Sequence, residues 1–366
     1  GNMANASLNQ TLTSRVSRLN YRSFLWHAIF LALAKNFMDV DTIIPAMMVD
    51  SGGNSLHVGL LTAILLGGSK FAQLFFSSFI NNKSYKKGFL LLGINTRIAS
   101  LAGLALLFLF SSQWEDATVI ATIFILITLF SVSGAFANIS FTDILGKSML
   151  PESRKSFFSI RQVLSSIGVF LSAFLAGKVL TANDYPHNYA ALFGIAAFAL
   201  GLASLGFWNI REISASRIRI SSFKKFVAVI RQEIRNNRRF SFYLLVVNTQ
   251  GIVLSLMPFL LLYAKEHFDS NNQAVGNFLL FKVTGGVIIG SLLFYFARKV
   301  RYQHMLYVTS LLALTIPLYV MLEPGPSFFA AAFLAGGMVY TLHNISINGV
   351  LLEVSTNRSE EHTSEL

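Results

Sequence analysis

Long apolar segments recur along the chain at short intervals, and this pattern limits the fold more than any other feature. Each segment has about the length that a helix needs to cross a hydrocarbon layer of ~30 Å at ~1.5 Å per residue. The ten segments are residues 23–48, 56–79, 89–111, 117–144, 157–180, 188–209, 240–263, 273–296, 304–322 and 327–350. With 54% hydrophobic and 13% charged residues, the sequence predicts an all-α polytopic membrane protein.

Basic residues lie in every second loop between these segments, which predicts the orientation of the chain. One set of loops, together with the N-terminal segment, carries Arg15, Arg18, Arg22, Lys83, Lys86, Lys87, Lys147, Arg154, Lys155, Arg298, Lys299 and Arg301. The opposite loops carry only Lys178 and Lys265. Because cytoplasmic loops are enriched in Lys and Arg, we expect the N-terminus and every basic loop in the cytoplasm, in a plasma (inner) membrane. This placement accounts for the net charge of +12 without a nucleic-acid partner.

The loop after the sixth segment, residues 211–239, is the longest basic stretch. It holds nine Lys and Arg residues against Glu212 and Glu233. Its apolar residues recur at helical spacing and are Phe223, Phe226, Val227, Ile230 and Ile234. This pattern predicts an amphipathic helix on the anionic inner leaflet of the lipid bilayer. A plain linker and a regulatory site are both open.

Two offsets indicate an internal repeat. An offset of 217 residues aligns Asn54, Val58, Gly59, Gly68, Phe79 and Tyr85 with Asn271, Val275, Gly276, Gly285, Phe296 and Tyr302. An offset of 206 residues aligns Asn138-Ile139-Ser140 with Asn344-Ile345-Ser346, and Pro45 and Pro258 occupy similar late positions in spans one and seven. We therefore expect two homologous six-helix halves, each built on the same order of spans.

The repeat predicts the domain organisation. We expect a cytoplasmic tail (1–22), a six-helix half (23–210), the basic linker (211–239) and an incomplete half of four helices (240–357). Six and six spans would make twelve, so we expect the chain to be truncated after the tenth. Residues 358–366 turn abruptly polar and match the translation of a common sequencing adapter, so we expect this tail to be non-native.

Charged residues within the first span are the strongest functional signal. Lys35 and Asp39 lie near its middle, where an ionised group costs roughly 3 kcal/mol and needs a partner or a wet cavity. In a continuous helix they would share one face, and Asp41 would point about 200° away from Asp39. Two interpretations stay open, a structural ion pair and a group that lines a substrate or ion pathway.

The chain resembles the major facilitator superfamily in its two six-span halves, its long basic loop after the sixth span and its basic turn after the second. The signature turn of that family, G-x-x-x-D-R-x-G-R-K, maps onto residues 77–86, with Asn81 in place of the acid and Ser84 in place of a glycine. Gly168, Ser172 and Ala176 in the fifth span predict a packing stripe of small residues instead of the family's Gly-Pro antiporter signature. The resemblance covers residues 23–357.

The resemblance implies which spans line the solute pathway, namely one, four, seven and ten. Their polar side chains are Lys35, Asn36, Asp39, Asp41, Asn138, Asn248, Gln250, His343, Asn344 and Asn348. Lys70, Arg97 and Lys282 add cations at membrane depth in spans two, three and eight. We expect a cavity of positive potential, with a structural charge network as the alternative. His343 is open to both a proton-relay and a packing role.

A second group of charges lies at the expected cytoplasmic edge. It comprises Asn81, Lys83, Lys86, Asp143, Glu152, Arg154 and Arg161. We expect Asp143 and Glu152 to pair with Arg154, Arg161 or the turn after span two and to close an inward gate. A purely topogenic role for these charges is the alternative.

These observations predict a secondary active transporter that works by alternating access. Protonation of Asp39, or else Asp41, would couple solute movement to a proton gradient in a symporter or antiporter. We expect a monomer with a small anionic or polar solute. A membrane sensor without transport is the alternative. No paired nucleophile and base, phosphate-binding loop or metal-ligand cluster stands out in the sequence, so neither an enzyme nor a cofactor is expected.

Overall fold

The computed structural model describes residues 12–216, 223–296 and 299–364, and within these ranges the chain is helical without a strand. The chain divides into two compact units between Val229 and Ile230, inside the predicted linker. Arg217, Arg219 and Arg298 of the expected basic loops, and residues 1–11 of the expected tail, lie outside the described residues.

The first unit contains eight of the helices. They are α1 (Ser14–Lys35), α2 (Ile43–Asp50), α3 (Ser55–Thr62), α4 (Ser69–Asn81), α5 (Lys87–Phe110), α6 (Asp116–Lys147), α7 (Pro151–Ala182) and α8 (His187–Asn209). A 3₁₀ turn, Asn36–Met38, follows α1, and a π-helical segment, Ala63–Gly68, joins α3 to α4. Helix α1 begins within the segment expected as a tail, because the Thr13 hydroxyl accepts from Val16 N at 3.3 Å and caps it.

The second unit contains the other helices. They are α9 (Phe223–Asn236), which begins in the first unit, α10 (Arg238–Ser255), α11 (Met257–Phe268), α12 (Asn272–Phe296), α13 (Tyr302–Met321) and α14 (Ala330–Ser364). Helix α9 covers the part of the linker predicted to be helical. Helix α14 continues beyond residue 350, where the last apolar segment was expected to end.

Nine helical stretches of the described residues are long and apolar enough to cross a membrane. They are Ser55–Asn81, Lys87–Gln113, Asp116–Lys147, Pro151–Ala182, His187–Asn209, Arg238–Phe268, Asn272–Phe296, Tyr302–Met321 and Ala330–Ile347. These stretches coincide with the second to tenth predicted segments. The first segment differs, because it is divided into α1 and α2 by residues 36–42.

Within each unit, some helices approach so closely that only small residues fit between their backbones. Helix α5 packs on α6 and α8, α1 packs on α7 and α8, and α12 and α13 pack on α14. A Cβ at Gly93 would lie 2.6 Å from Ala137 N, and a Cβ at Gly337 would overlap the carbonyl oxygen of Lys282. Only glycine permits these two backbone approaches.

Equivalent residues of the predicted repeat occupy equivalent places. The Asn54 side chain accepts from His57 N at 3.2 Å and starts α3, and Asn271 accepts from Ala274 N at 3.0 Å and starts α12. In the second alignment, Asn138 and Asn344 are both exposed. Ser140 and Ser346 are both buried, and neither hydroxyl has a hydrogen-bond partner among the described residues.

Candidate functional site

The first span is unwound around Asp39. Helix α1 ends at Lys35, and Asp39 has extended backbone angles, with φ −60° and ψ 128°. One oxygen of its carboxylate, Oδ2, accepts from Thr42 Oγ1 at 2.7 Å and from Asp41 N at 3.2 Å. Asp39 is buried, and its carboxylate stabilises the turn that precedes α2.

The interruption overturns one geometric expectation. Lys35 and Asp39 were expected to share a helical face, and Asp41 to point about 200° away from Asp39. Neither angle applies, because α1 ends before Asp39 and α2 begins only at Ile43. Lys35 is exposed, Asp39 is buried and Asp41 is half-buried. Helical periodicity therefore does not describe this stretch.

Asn36 connects the interruption to α7. Its Nδ2 donates to Val169 O at 2.6 Å and to Ser172 Oγ at 2.9 Å, and Ser172 Oγ in turn donates to Ala32 O at 3.1 Å. The predicted stripe of small residues packs here, since a Cβ at Gly168 would lie 3.2 Å from Ala32 Cβ. Asn36 thus connects two helices of the first unit.

The predicted pathway residues fall into three classes of exposure. Asn36, Asp39, Gln250 and His343 are buried, Asp41, Arg97 and Lys282 are half-buried, and Lys35, Lys70, Asn138, Asn248 and Asn344 are exposed. Of the buried class, Asn36, Gln250 and His343 make contacts between helices of their own unit, and Asp39 makes contacts within the turn before α2. The side chain of Asn348 lies outside the described set.

Arg97 in α5 packs against α6. Its guanidinium lies over the Phe130 ring at 4.2 Å, and its Nε donates to Phe130 O at 3.3 Å. A Cβ at Gly134 would overlap the guanidinium, so this glycine makes room for it. These contacts offset part of the free energy needed to bury a guanidinium at this depth. Arg97 makes no ion pair with the described residues.

The second unit has a buried polar cluster that connects three helices. Gln250 Nε2 donates to Leu306 O at 3.0 Å and to Ser310 Oγ at 2.8 Å. His343 Nδ1 lies 2.7 Å from Gln250 Oε1, an oxygen that can only accept, so Nδ1 carries the proton in this bond. Lys282 Nζ lies over the Tyr340 ring at 5.8 Å. Gln250 and His343 therefore join α10, α13 and α14.

A charged cluster lies at the end of the first unit where the expected gate was placed. Lys86 Nζ lies 3.1 Å from Asp143 Oδ1, Lys147 Nζ lies 3.3 Å from Asp143 Oδ2, and Lys147 Nζ lies 2.9 Å from Glu212 Oε2. Ser216 Oγ donates to Asp143 Oδ2 at 2.5 Å and accepts from Lys147 Nζ at 2.6 Å. We call these five residues the basal cluster.

Glu212 has a second role in this cluster. Its carboxylate accepts from Lys86 N at 2.8 Å and from Lys87 N at 3.0 Å, the amides of the N-cap residue and of the first residue of α5. A carboxylate at a helix N-terminus satisfies free amides and interacts favourably with the helix dipole. The segment after α8 therefore caps α5 and neutralises Lys147.

The other residues of the expected gate do not join the basal cluster. Arg154 Nη2 donates to Gly146 O at 2.6 Å, the guanidinium of Arg161 lies 4.9 Å from the Phe158 ring, and Lys83 Nζ lies 5.2 Å from the Phe79 ring. Glu152 makes no ion pair with any described residue. Of the three partners expected for Asp143, the structure contains the turn after span two, through Lys86.

Glu212, Ser216, Thr42 and Gln73 were not identified as site residues from the sequence. Glu212, Ser216 and Gln73 contact residues far along the chain, and the partner of Gln73 is Asn138. Glu212 lies more than a hundred residues from the amides that it caps. Asp39 and Thr42, three residues apart, match a local capping pattern that could have been read from the sequence. Among the described residues, no three His, Cys, Asp or Glu side chains come together as a metal site.

A family model described as Major Facilitator Superfamily matches residues 25–362. No protein with a curated description matches the sequence. Among solved structures, a bacterial homologue of the iron transporter ferroportin in an inward-facing state is 14% identical, with a TM-score of 0.62, covering 97% of this chain and 88% of that one.

Two further solved structures are similar to this chain. A D-xylose-proton symporter is 12% identical, with a TM-score of 0.58 and coverage of 90% of this chain and 81% of that one. The nucleoside transporter NupG is 13% identical, with a TM-score of 0.58 and coverage of 89% and 80%. At these identities the likeness establishes the fold.

Proposed function

The chain belongs to the major facilitator superfamily, and on that premise we propose that it is a secondary active transporter that moves a small solute across a membrane by alternating access. The observation that carries this proposal is the buried carboxylate of Asp39 on unwound backbone within the first span. Non-helical backbone at membrane depth is tolerated where it is buried in protein or lines a cavity, and ionisable groups there mark ion and substrate pathways.

Protonation of Asp39 would change the conformation of the turn between α1 and α2. In its ionised form, the carboxylate accepts two hydrogen bonds from the turn between α1 and α2. Such charge-assisted bonds are roughly twice as strong as neutral ones. Protonation weakens both bonds and therefore loosens the turn. A proton gradient would in this way bias the position of α1 relative to α2, which is the coupling that we assign to Asp39.

The basal cluster supports a gating role at one end of the first unit. Its contacts join the turn before α5, the end of α6 and the segment after α8. A set of ion pairs that can break and reform gives two discrete arrangements of these elements. We propose that Lys86 and Asp143 close a gate there. We keep, as proposals at this edge, the other residues of the expected gate, which are Asn81, Lys83, Glu152, Arg154 and Arg161.

The basic residues of α9 support a membrane-surface role for the linker. Lys224, Lys225, Arg231 and Arg235 are all exposed, and so are Val227 and Ile234. Cationic and apolar side chains on one surface helix suit an anionic leaflet. We propose that α9 lies on the cytoplasmic face of the plasma membrane, with the N-terminus on the same side, and that the protein acts as a monomer.

Transport by reconstituted protein tests the proposal. Proteoliposomes with an imposed pH gradient are assayed for uptake of small carboxylates, phosphate and sugars. We expect Asp39→Asn to fold, because an amide oxygen accepts the same two bonds, and to lose accumulation while retaining exchange. Asp41→Asn is the matched control and should accumulate normally.

Two results would contradict this assignment. Full accumulation by Asp39→Asn would remove Asp39 from coupling, and loss of accumulation only in Asp41→Asn would transfer the role to Asp41. A wild-type chain that binds one of these solutes but never moves it would support the non-transporting sensor instead.

A further inference from the structure

Three polar side chains form a strip on the exposed side of α4 and α6 in the first unit. Lys70 is exposed and makes no ion pair or hydrogen bond with any described residue. Gln73 lies one turn further along α4, on the same face as Lys70. Asn138 Nδ2 in α6 lies 3.4 Å from Gln73 Oε1 and donates to it. We call Lys70, Gln73 and Asn138 the span-two strip.

The depth of Lys70 makes its exposure informative. From Lys70 to the end of α4 at Asn81 is about 16 Å along the helix, which exceeds the reach of a lysine side chain toward the interface. A cation in contact with lipid at that depth would cost roughly 3 kcal/mol or more. The ammonium of Lys70 therefore needs water or an anion beside it.

The helix before Lys70 is irregular and leaves space at that place. Residues Ala63–Gly68 are π-helical, and π-helical turns occur frequently at functional sites. A lysine in a helix leans toward the preceding turn, which here carries Gly67. Gly67 is exposed, and a Cβ built there would meet nothing within 4 Å. The space beside Gly67 is thus open on the side toward which a lysine at position 70 leans.

The repeat argues against a packing role for the strip. In the second unit, the positions equivalent to Lys70 and Gln73 are Val287 and Gly290. Only the asparagine is retained, as Asn344. Helix α12 is a continuous α-helix through the equivalent stretch. The same span packs on the same neighbour with neither a cation at the position of Lys70 nor the second amide, and its own cation, Lys282, lies over the Tyr340 ring of α14. The strip therefore adds a property that packing does not require.

We propose that the span-two strip binds the anionic group of the transported solute, a carboxylate or a phosphate. The Lys70 ammonium and the Nε2 amide of Gln73 donate to the anion's oxygens. Asn138 is a positioning residue, because its donation to Gln73 Oε1 turns the other end of that amide outward. The proposal rests on the proposed transport function and adds the class of substrate to it.

The first test measures whether Lys70 lies in water. The chain contains no cysteine, so Lys70→Cys in the full chain carries a single thiol. We expect it to react with a membrane-impermeant, positively charged methanethiosulfonate, since the reaction needs a hydrated thiolate. Phe71→Cys is the matched control, because Phe71 is the next residue, is 66% exposed and is apolar. Failure of Lys70→Cys to react, or equal reaction of both, would overturn the proposal.

The second test measures binding without transport. Inorganic phosphate and succinate are titrated into the full chain in nanodiscs, with xylose as a neutral comparison. Loss of one charge-assisted contact in Lys70→Met should weaken binding of the better anion by about 10- to 100-fold. Aminoethylation of the Lys70→Cys thiol replaces the ammonium and should restore binding. An unchanged affinity in Lys70→Met, or a wild type that binds neither anion, would overturn the proposal.

The two proposals fail separately. Proton-coupled uptake that is insensitive to Lys70→Met would leave the transport function standing and remove the strip from substrate binding. Anion binding that depends on Lys70, in a chain that moves no solute, would leave the anion site standing and remove the transport function.

Discussion

Spans two and eight begin from the same sequence pattern and then differ in helix type. Asn54 and Asn271 cap them in the same way, and the repeat aligns Gly68 with Gly285. Helix α12 remains α-helical throughout, whereas span two contains the π-helical segment Ala63–Gly68. The shared local pattern therefore determines where each span starts, and a distant neighbour determines its path afterwards.

Among the equivalent positions at which the neighbours differ, Ser131 in α6 and Gly337 in α14 face this stretch. Ser131 Oγ donates to Ile64 O at 2.8 Å, so a hydroxyl separates the two backbones and satisfies a carbonyl of the π-helical segment. At Gly337, the backbone of α12 approaches directly, and a Cβ would overlap the Lys282 carbonyl oxygen. Close packing leaves span eight no room for an irregular turn, and the hydroxyl provides that room in span two.

Exchange of the side chains of Lys70 and its equivalent, Val287, should have the largest effect. Val287→Lys places a cation in the middle of span eight, where we expect a loss of about 3 kcal/mol in folding free energy. Lys70→Val should instead leave the fold as stable as before or more so, while anion binding is lost. Thermal unfolding of both purified variants measures the contrast. Strong destabilisation by Lys70→Val would show that Lys70 is structural.

Gly337→Ser tests the close crossing of α12 and α14. The added side chain overlaps backbone that cannot move freely, so we expect a loss of about 1–3 kcal/mol. Gly251→Ser in α10 is the control, because a Cβ there meets nothing within 4 Å. Equal melting temperatures for the two variants would contradict the close approach.

Ser131→Ala tests the opposite case, the hydroxyl beside the π-helical segment. It removes one hydrogen bond and leaves the Ile64 carbonyl without that donor, which should cost about 1–2 kcal/mol. Hydrogen exchange of the amides in residues 63–68 should rise at the same time. Ser131→Thr, which keeps a hydroxyl, is the control, and unchanged exchange in the alanine variant would contradict the role of Ser131.

Removal of the two caps should have the smallest effect and sharpens the comparison. Asn54→Ala and Asn271→Ala should each cost about 1 kcal/mol, because both side chains accept an amide of the first turn. Similar losses in chemical denaturation would support equivalence of the two positions. A loss confined to one of them would show that the repeat does not extend to its caps.

The sequence by itself predicted a large part of the fold. Length and hydropathy placed spans two to ten, because an apolar window of this length has no stable alternative to a membrane helix. The repeat offset aligned Asn54 with Asn271, and both side chains accept from an amide in the first turn of their span, because capping depends on local spacing. Pro45 and Pro258 likewise both lie in the first turn of the second part of a divided span.

The tertiary structure alone decided how the polar residues are used. Lys70 and Arg97 are both cations in apolar helices, yet Arg97 packs on Gly134 and Phe130 while Lys70 is exposed. Periodicity failed between Lys35 and Asp39, because hydrogen bonds from Asn36 to α7 and from the turn to the Asp39 carboxylate replace the helical ones. Local pattern determines which segments become helices, whereas burial and most partners depend on residues in other helices, from 33 positions away for Arg97 to 133 for Asn36, and no local spacing encodes them.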